Sequence, residues 1–220
     1  MNPPAIRDAA TILVLRRDHP AGPAVLMGQR REQAAFMPSK FVFPGGAVDA
    51  EDAQVALAAP LDADSLRRLG PGGHALAIAA IRELWEETGL ILGRRTPWPE
   101  APPAWRDFAA AGFRPDATGL RHVFRAITPP GATRRFDARF FLLDLCHIGT
   151  DPDDFSHAGD ELAHLQWVPL ATARQFDLPF ITEVVLAEVQ ALIADSRDGV
   201  PVSVPFFDTR GPVPVFERLR

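Results

Sequence analysis

Arg82-Glu83-Leu84-Trp85-Glu86-Glu87-Thr88-Gly89-Leu90 is the stretch that decides how this chain is read. On a helix turning about 100° per residue, spacings of three and four place Glu83, Glu86 and Glu87 on one face. Gly89 suits the left-handed cap that ends such a helix, and Leu90-Ile91-Leu92 then leaves as a strand. Acids at a helix C-terminus meet the negative end of the helix dipole, which disfavours each by about 0.3–1 kcal/mol when exposed. They also repel one another. A bound cation turns both penalties into attraction. The plainer alternative is a solvated acidic face on which Arg82 pairs with Glu86 one turn later.

Upstream, Phe43-Pro44-Gly45-Gly46 ends a short strand in a turn whose glycines leave backbone carbonyls uncovered by side chains. Carboxylates and a carbonyl form an all-oxygen donor set, which suits hard cations such as Mg²⁺ or Mn²⁺. Either feature alone is common. Their pairing is what carries information.

Working outward, residues 9–15 and 24–28 read as a strand pair around a Pro/Gly turn, and residues 41–43 as a third strand. The main helix spans about 74–88, with Ala77, Ile78, Ile81, Leu84 and Trp85 on the side opposite the glutamates. Residues 104–111 are a second helical candidate. Strand signals return at 122–127, 136–145 and 165–168. A final helix at about 182–195 turns Val185, Val189 and Leu192 toward a core. The tail from Val200 is proline-rich and extended. Strands and helices mixed without regular alternation indicate an α+β or α/β sandwich with a mixed sheet.

The chain has 220 residues, 47% hydrophobic and 23% charged, within the range of a soluble globular protein. No run of roughly 18 apolar residues is present, and no basic-then-apolar leader opens the sequence, so no membrane association is expected. A net charge of −5 gives no overall attraction to nucleic acid. The single cysteine, Cys146, excludes an internal disulfide, and its leucine neighbours suggest a buried thiol in a reducing, cytoplasmic setting.

Gly46, then Asp52 after five residues, an interval, and Arg82 to Leu90 together resemble the Nudix box, G-x5-E-x7-R-E-U-x-E-E-x-G-U with U bulky and apolar. The second half matches at every specified position, and the Phe-Pro-Gly-Gly lead-in is similar too. The first acid, however, is Asp52 instead of glutamate. Residues 53–81 also stand where the plain box has seven positions. The expectation is therefore one Nudix domain over 1–220, an α/β/α sandwich with a mixed β-sheet and a C-terminal helix. Its box covers 45–90, with an inserted segment at about 53–73 forming a surface excursion. Arg30, Phe36-Met37-Pro38-Ser39, the stretch 134–141 and Leu178-Pro179 resemble the coenzyme A diphosphatases of the animal peroxisomal type and their bacterial relatives. The separate coenzyme A signature of other such enzymes is not intact, which leaves the substrate open.

The resemblance implies a divalent-metal-dependent hydrolase that cleaves the diphosphate linkage of a nucleotide derivative, with coenzyme A and acyl-coenzyme A as candidates. It implies Glu86, Glu87 and the Gly45 carbonyl as ligands of Mg²⁺ or Mn²⁺, and Glu83 as completing the acidic face. A carboxylate then takes the proton of the attacking water. That base is expected from the acidic stretch Asp151, Asp153, Asp154, Asp160 and Glu161, with Glu161 nearest the following strand; solvation alone also explains such a stretch. Arg82 is expected to orient Glu86 or Glu87. Arg30 and Arg31 either grip a substrate phosphate or are an ordinary strand-end pair. Arg135, Asp137 and Arg139 read as an ion-pair ladder. Trp98 and Trp105 either stack on substrate or pack. His157 and His164 lack zinc spacing. The implied partner is a small nucleoside-diphosphate-linked molecule, with a homodimer left open. The competing class is a ligand-sensing Nudix domain that has lost catalysis.

Overall fold

The computed structural model describes residues 4–195, 199–211 and 213–220. In chain order the strands and helices are β1 (Ile6–Arg16), β2 (Ala24–Arg30), β3 (Phe41–Val42), β4 (Gly45–Ala47), α1 (Ala63–Leu69), α2 (Gly73–Thr88) and β5 (Gly93–Arg95). There follow α3 (Arg106–Ala110), β6 (Phe113–Pro115), β7 (Arg121–Ile127), β8 (Arg135–Asp144), β9 (Leu162–Pro169), α4 (Phe180–Asp195), β10 (Val204–Asp208) and β11 (Val215–Leu219).

Alternation along the central strands creates two cores. β1 sends Ala10, Ile12 and Val14 to one side and Leu13 and Leu15 to the other. β8 does the same with Phe141 and Leu143 against Phe140 and Leu142. α2 packs Ala77, Ile78, Ile81 and Leu84 into the first core, and α4 packs Val185, Leu186 and Val189 into the second. Among the described residues a nine-stranded mixed sheet, with seven strands in the order β11-β10-β7-β8-β1-β2-β3, β4 added against β1 and β9 against β2, thus lies between helices. β1 runs parallel to β8, and β10 parallel to β7, while the other pairs are antiparallel. The expected α/β sandwich with a mixed sheet is the observed architecture.

Local departures have physical reasons. Gly45-Gly46 is a strand as well as a turn, paired with β1 through Thr11↔Gly45 and Ala10↔Gly46. The tail is extended as expected, and it adds β10 and β11 to the sheet edge. The strand expected at 90–92 begins only at Gly93, because Leu90, Ile91 and Leu92 are buried in the first core with one isolated bridge, Leu92↔Ile148. The inserted segment is not a mere surface excursion. Val55 and Leu61 are buried in the first core, and the Ser65 hydroxyl accepts the His122 backbone N–H at 3.2 Å. Cys146 is exposed, not buried, because a one-turn 3-10 helix at Leu145–His147 breaks the alternation of β8 just before it. Only part of the expected ladder on β8 forms: Asp137 and Arg139 pair, whereas Arg135 donates to the Thr128 carbonyl.

Candidate active site

The site begins where two strands part. β1 and β2 pair only at Leu15↔Val25 and Arg16↔Ala24, and farther along β1 the place beside Ala9, Ala10 and Thr11 is taken by β4. That brings Gly45 and Gly46 against the last turns of α2. A Cβ on Gly45 would lie 2.6 Å from the Ala10 carbonyl oxygen, and one on Gly46 would overlap the Glu83 carboxylate. The glycines therefore let a strand edge approach an acidic helix, a role beyond turning the chain. α2 ends as its sequence requires: Gly89 adopts φ 75° and donates its N–H to the Trp85 carbonyl at 2.8 Å.

Burial overturns the solvated-face alternative. Glu83 is 9% and Glu87 2% exposed, and only Glu86 of the three opens to solvent. Arg82 sits among them. Its Nε and Nη2 donate to the two Asp52 oxygens at 3.0 and 3.1 Å, and its Nη1 donates to Glu83 at 2.8 Å and Glu86 at 3.1 Å. Nη2 also reaches the Ala47 carbonyl at 2.9 Å. Arg82 thus meets Glu86 as expected and Glu83 in addition, but not Glu87. Asp52, whose part the sequence left open, is buried and also accepts the Asp49 backbone N–H at 2.8 Å. It anchors the arginine that aligns two of the glutamates.

Glu87 is held differently. One carboxylate oxygen accepts the Gly45 N–H at 2.7 Å, while the other is buried without a hydrogen-bond partner. Burial, reinforced by the charge of Glu83, pushes the Glu87 carboxyl well above the usual range. Burial also raises Glu83 to about 7, with Arg82 opposing the shift and Glu86 and Glu161 adding to it. For Arg82, burial pulls downward, but Asp52 and Glu83 outweigh it and keep the guanidinium firmly protonated.

Glu161, immediately before β9, accepts from Arg30 at 2.7 Å, and Arg31 pairs with Asp160 at 2.7 Å. A cleft of about 440 Å³ is lined by Arg30, Gly45, Gly46, Glu83 and Glu161 together. Arg31 lies off its wall. Trp105 is buried in the first core and Trp98 packs against it, so neither reaches this cleft. His157 stacks on Trp85, with ring centroids 6.3 Å apart.

The residues fit a hard divalent cation. The donors are all oxygen, the orphaned Glu87 oxygen wants a positive partner, and two carboxyls with raised pKa are a cost that a cation offsets. Among the described residues no three His, Cys, Asp or Glu side chains already converge as a cage. Glu86, now turned to Arg82, would have to swing to join Glu87.

A family model described as the NUDIX domain matches residues 5–188. The chain belongs to the Nudix family. Among curated Nudix relatives, it is 31% identical over 230 residues to the acyl-coenzyme A diphosphatase NUDT19 of Gallus gallus, covering 73% of this chain and 60% of that protein. It is 29% identical over 167 residues to the putative nudix hydrolase 7 of Caenorhabditis elegans, covering 66% and 46%. The chain thus spans about half the length of the curated relatives it matches. A solved NUDIX hydrolase from Alicyclobacillus acidocaldarius is 30% identical with a TM-score of 0.64, covering 84% of this chain and 90% of that one.

Sequence reasoning missed the far wall of the cleft, notably Phe180, Ile181 and Phe207 from α4 and β10. No periodicity marks them, because their shared surface forms only when distant segments meet.

Proposed function

We propose that this protein is a divalent-metal-dependent Nudix hydrolase that cleaves a diphosphate linkage in a nucleotide derivative, with coenzyme A and its thioesters as the first class to try. The observation that carries the reading is the buried, partnerless oxygen of Glu87 beside Glu83, at the end of a matching Nudix helix. The substrate class is suggested by the name of the Gallus gallus relative.

In this reading Glu86, Glu87 and the Gly45 carbonyl hold Mg²⁺ or Mn²⁺, with Glu83 completing the acidic face. When bound, the cation neutralises phosphate oxygens and lowers the pKa of a coordinated water. The chain's own residues do the rest. Asp52 fixes Arg82, Arg82 holds Glu83 in line, and Glu86 would leave its pairing with Arg82 to join Glu87. Glu161, gripped by Arg30, stands on the cleft wall as the proton acceptor. When substrate enters, Arg30 exchanges part of that contact for a phosphate oxygen, and Arg31 offers a second cation at the margin.

Residues 1–220 are read as one domain, because β10 and β11, beyond the matched residues, belong to the same sheet. No helix among the described residues is long and apolar enough to cross a membrane. A cytoplasmic setting goes with this reading.

The test is a panel of coenzyme A esters, dinucleotides, nucleotide sugars and nucleoside triphosphates, each with Mg²⁺ or Mn²⁺, with products identified by mass. Metal-dependent appearance of two phosphate-ended products from one class supports the proposal. Tight binding of a panel member without cleavage under any metal would instead favour the ligand-sensing alternative.

A further inference from the structure

Away from the glutamates the cleft changes character. Its far wall is built by Phe36, Met37, Phe136, Phe140, Phe180 and Phe207, drawn from the loop after β2, from β8, from α4 and from β10. Phe36 meets Phe136 edge-on at 5.4 Å, and Phe180 meets Phe207 at 6.2 Å. Phe180 is nonetheless 68% exposed. A large apolar ring left in water at the mouth of a cleft contributes little to folding.

The polar groups of the lining are equally telling. Charged side chains there are Glu83, Glu161 and Arg30 at the acidic end, with Arg7 and Arg134 elsewhere on the wall. Apart from these the polar side chains are threonines, and among the described residues no Asn, Gln, Asp or His lines the cleft to read the edge of a base. The register sets the scale. Ala10 lies beside Gly46, over Glu83, while Arg7 lies beside Phe136, three residues along β1. At roughly 3.3 Å per residue, Phe136 lies about 10 Å along β1 from the acids, while Phe140, beside Thr11, is level with Gly45.

We propose that this wall receives a flexible apolar arm of the substrate, with the diphosphate at the glutamates, and that Phe180 is the residue that sets the preference for longer arms. The inference rests on the hydrolase reading for the position of the diphosphate. It goes beyond that reading in stating what the rest of the ligand is and which side chain selects it. Complete burial strengthens binding by up to about fourfold per methylene.

The test separates binding from turnover. Acetyl-, butyryl-, hexanoyl- and octanoyl-coenzyme A are titrated calorimetrically into the protein in EDTA, without metal. The expected result is a Kd that falls at every step and at least tenfold from acetyl to octanoyl. Phe180→Ala, at an exposed position, is expected to reduce that span at least threefold while changing the acetyl value less than twofold. Val202→Ala, 93% exposed and outside the cleft, is expected to keep the full gradient. A wild-type series with no gradient, or with no binding at all, would overturn the proposal, as would a gradient that survives Phe180→Ala intact. Adding Mg²⁺ or Mn²⁺ afterwards tests hydrolysis separately. A gradient without cleavage sinks the enzyme reading alone, and cleavage without a gradient sinks the apolar-arm proposal alone.

Discussion

Two clusters of charge in this molecule are built to opposite plans. On β7 and β8, Asp137 receives two bonds from Arg125, at 2.8 and 2.6 Å, and lies 3.1 Å from Arg139, which in turn reaches Asp8 at 2.5 Å. Each acid there has a cation. At the end of α2, one cation, Arg82, is shared by Asp52, Glu83 and Glu86, and Glu87 makes no ion pair among the described residues. The first cluster is complete as it stands and holds strands together. The second is short of positive charge while buried, a condition that costs stability unless something else supplies the charge.

Removing the shared cation should break the contrast most severely. Arg82→Met leaves Asp52 and Glu83 buried without their partner. A loss of about 3–5 kcal/mol in denaturant unfolding is expected, together with loss of activity. An Arg82→Met protein as stable as wild type would mean that the cluster does not depend on it.

Glu87→Gln is the converse experiment. Outer partners of metal ligands commonly cost about 10–100-fold when removed, so the kcat loss here should exceed about 100-fold. Thermal stability without metal should hold or rise, because a buried carboxyl with an unpaired oxygen is gone. An active Glu87→Gln enzyme would remove this residue from the site.

Asp137→Asn should behave as a purely structural change, costing about 1–3 kcal/mol of stability through the charge-assisted bonds it loses. KM and kcat measured below the melting range should stay within a factor of about two. A selective kcat defect would show that the two clusters are coupled.

The pH response sharpens the comparison further. Glu83 sits at about 7 in the folded protein against 4.5 ordinarily, so the folded state binds its proton more tightly. Its contribution is fully present below 4.5 and is lost as pH rises through 7. His122 has the opposite sign. Burial, aided by the charge of Arg139, lowers it to about 3 from 6.5, so its contribution is present above 6.5 and is lost as pH falls toward 3. Comparing Glu83→Gln with wild type cancels the histidine. The variant's Tm relative to wild type should rise between pH 5 and pH 8 without metal, and a flat difference would contradict the buried state of Glu83.

The smallest effect belongs to Arg31→Ala. The pair it makes with Asp160 is largely exposed, and no measurable change in Tm is expected. A modest rise in KM would come only if Arg31 meets the substrate.

Residues 82–90 show how far reading a chain goes. The helix, its Gly89 cap and the shared face of Glu83, Glu86 and Glu87 follow from 3.6-residue periodicity and from the one residue type at ease with φ 75°. The two cores follow nearly as directly from alternation on β1 and β8. Asp52 was harder, because its partner Arg82 lies across the inserted segment and spacing does not encode such a meeting. Cys146 misled, since hydrophobic neighbours imply burial only while the strand continues.

What the sequence determined by itself is therefore local: which residues form a helix or strand, which share a face, and, through the box motif, which family the chain joins. The tertiary structure alone decided that the acidic face is buried, that Arg82 meets Glu83 as well as Glu86 but not Glu87, and that four distant segments wall an aromatic cleft. Periodicity is set by bonds along the backbone, so it is written in neighbouring residues. Burial, partner choice and pKa depend on what packs from elsewhere, and the chain acquires those only when it closes on itself.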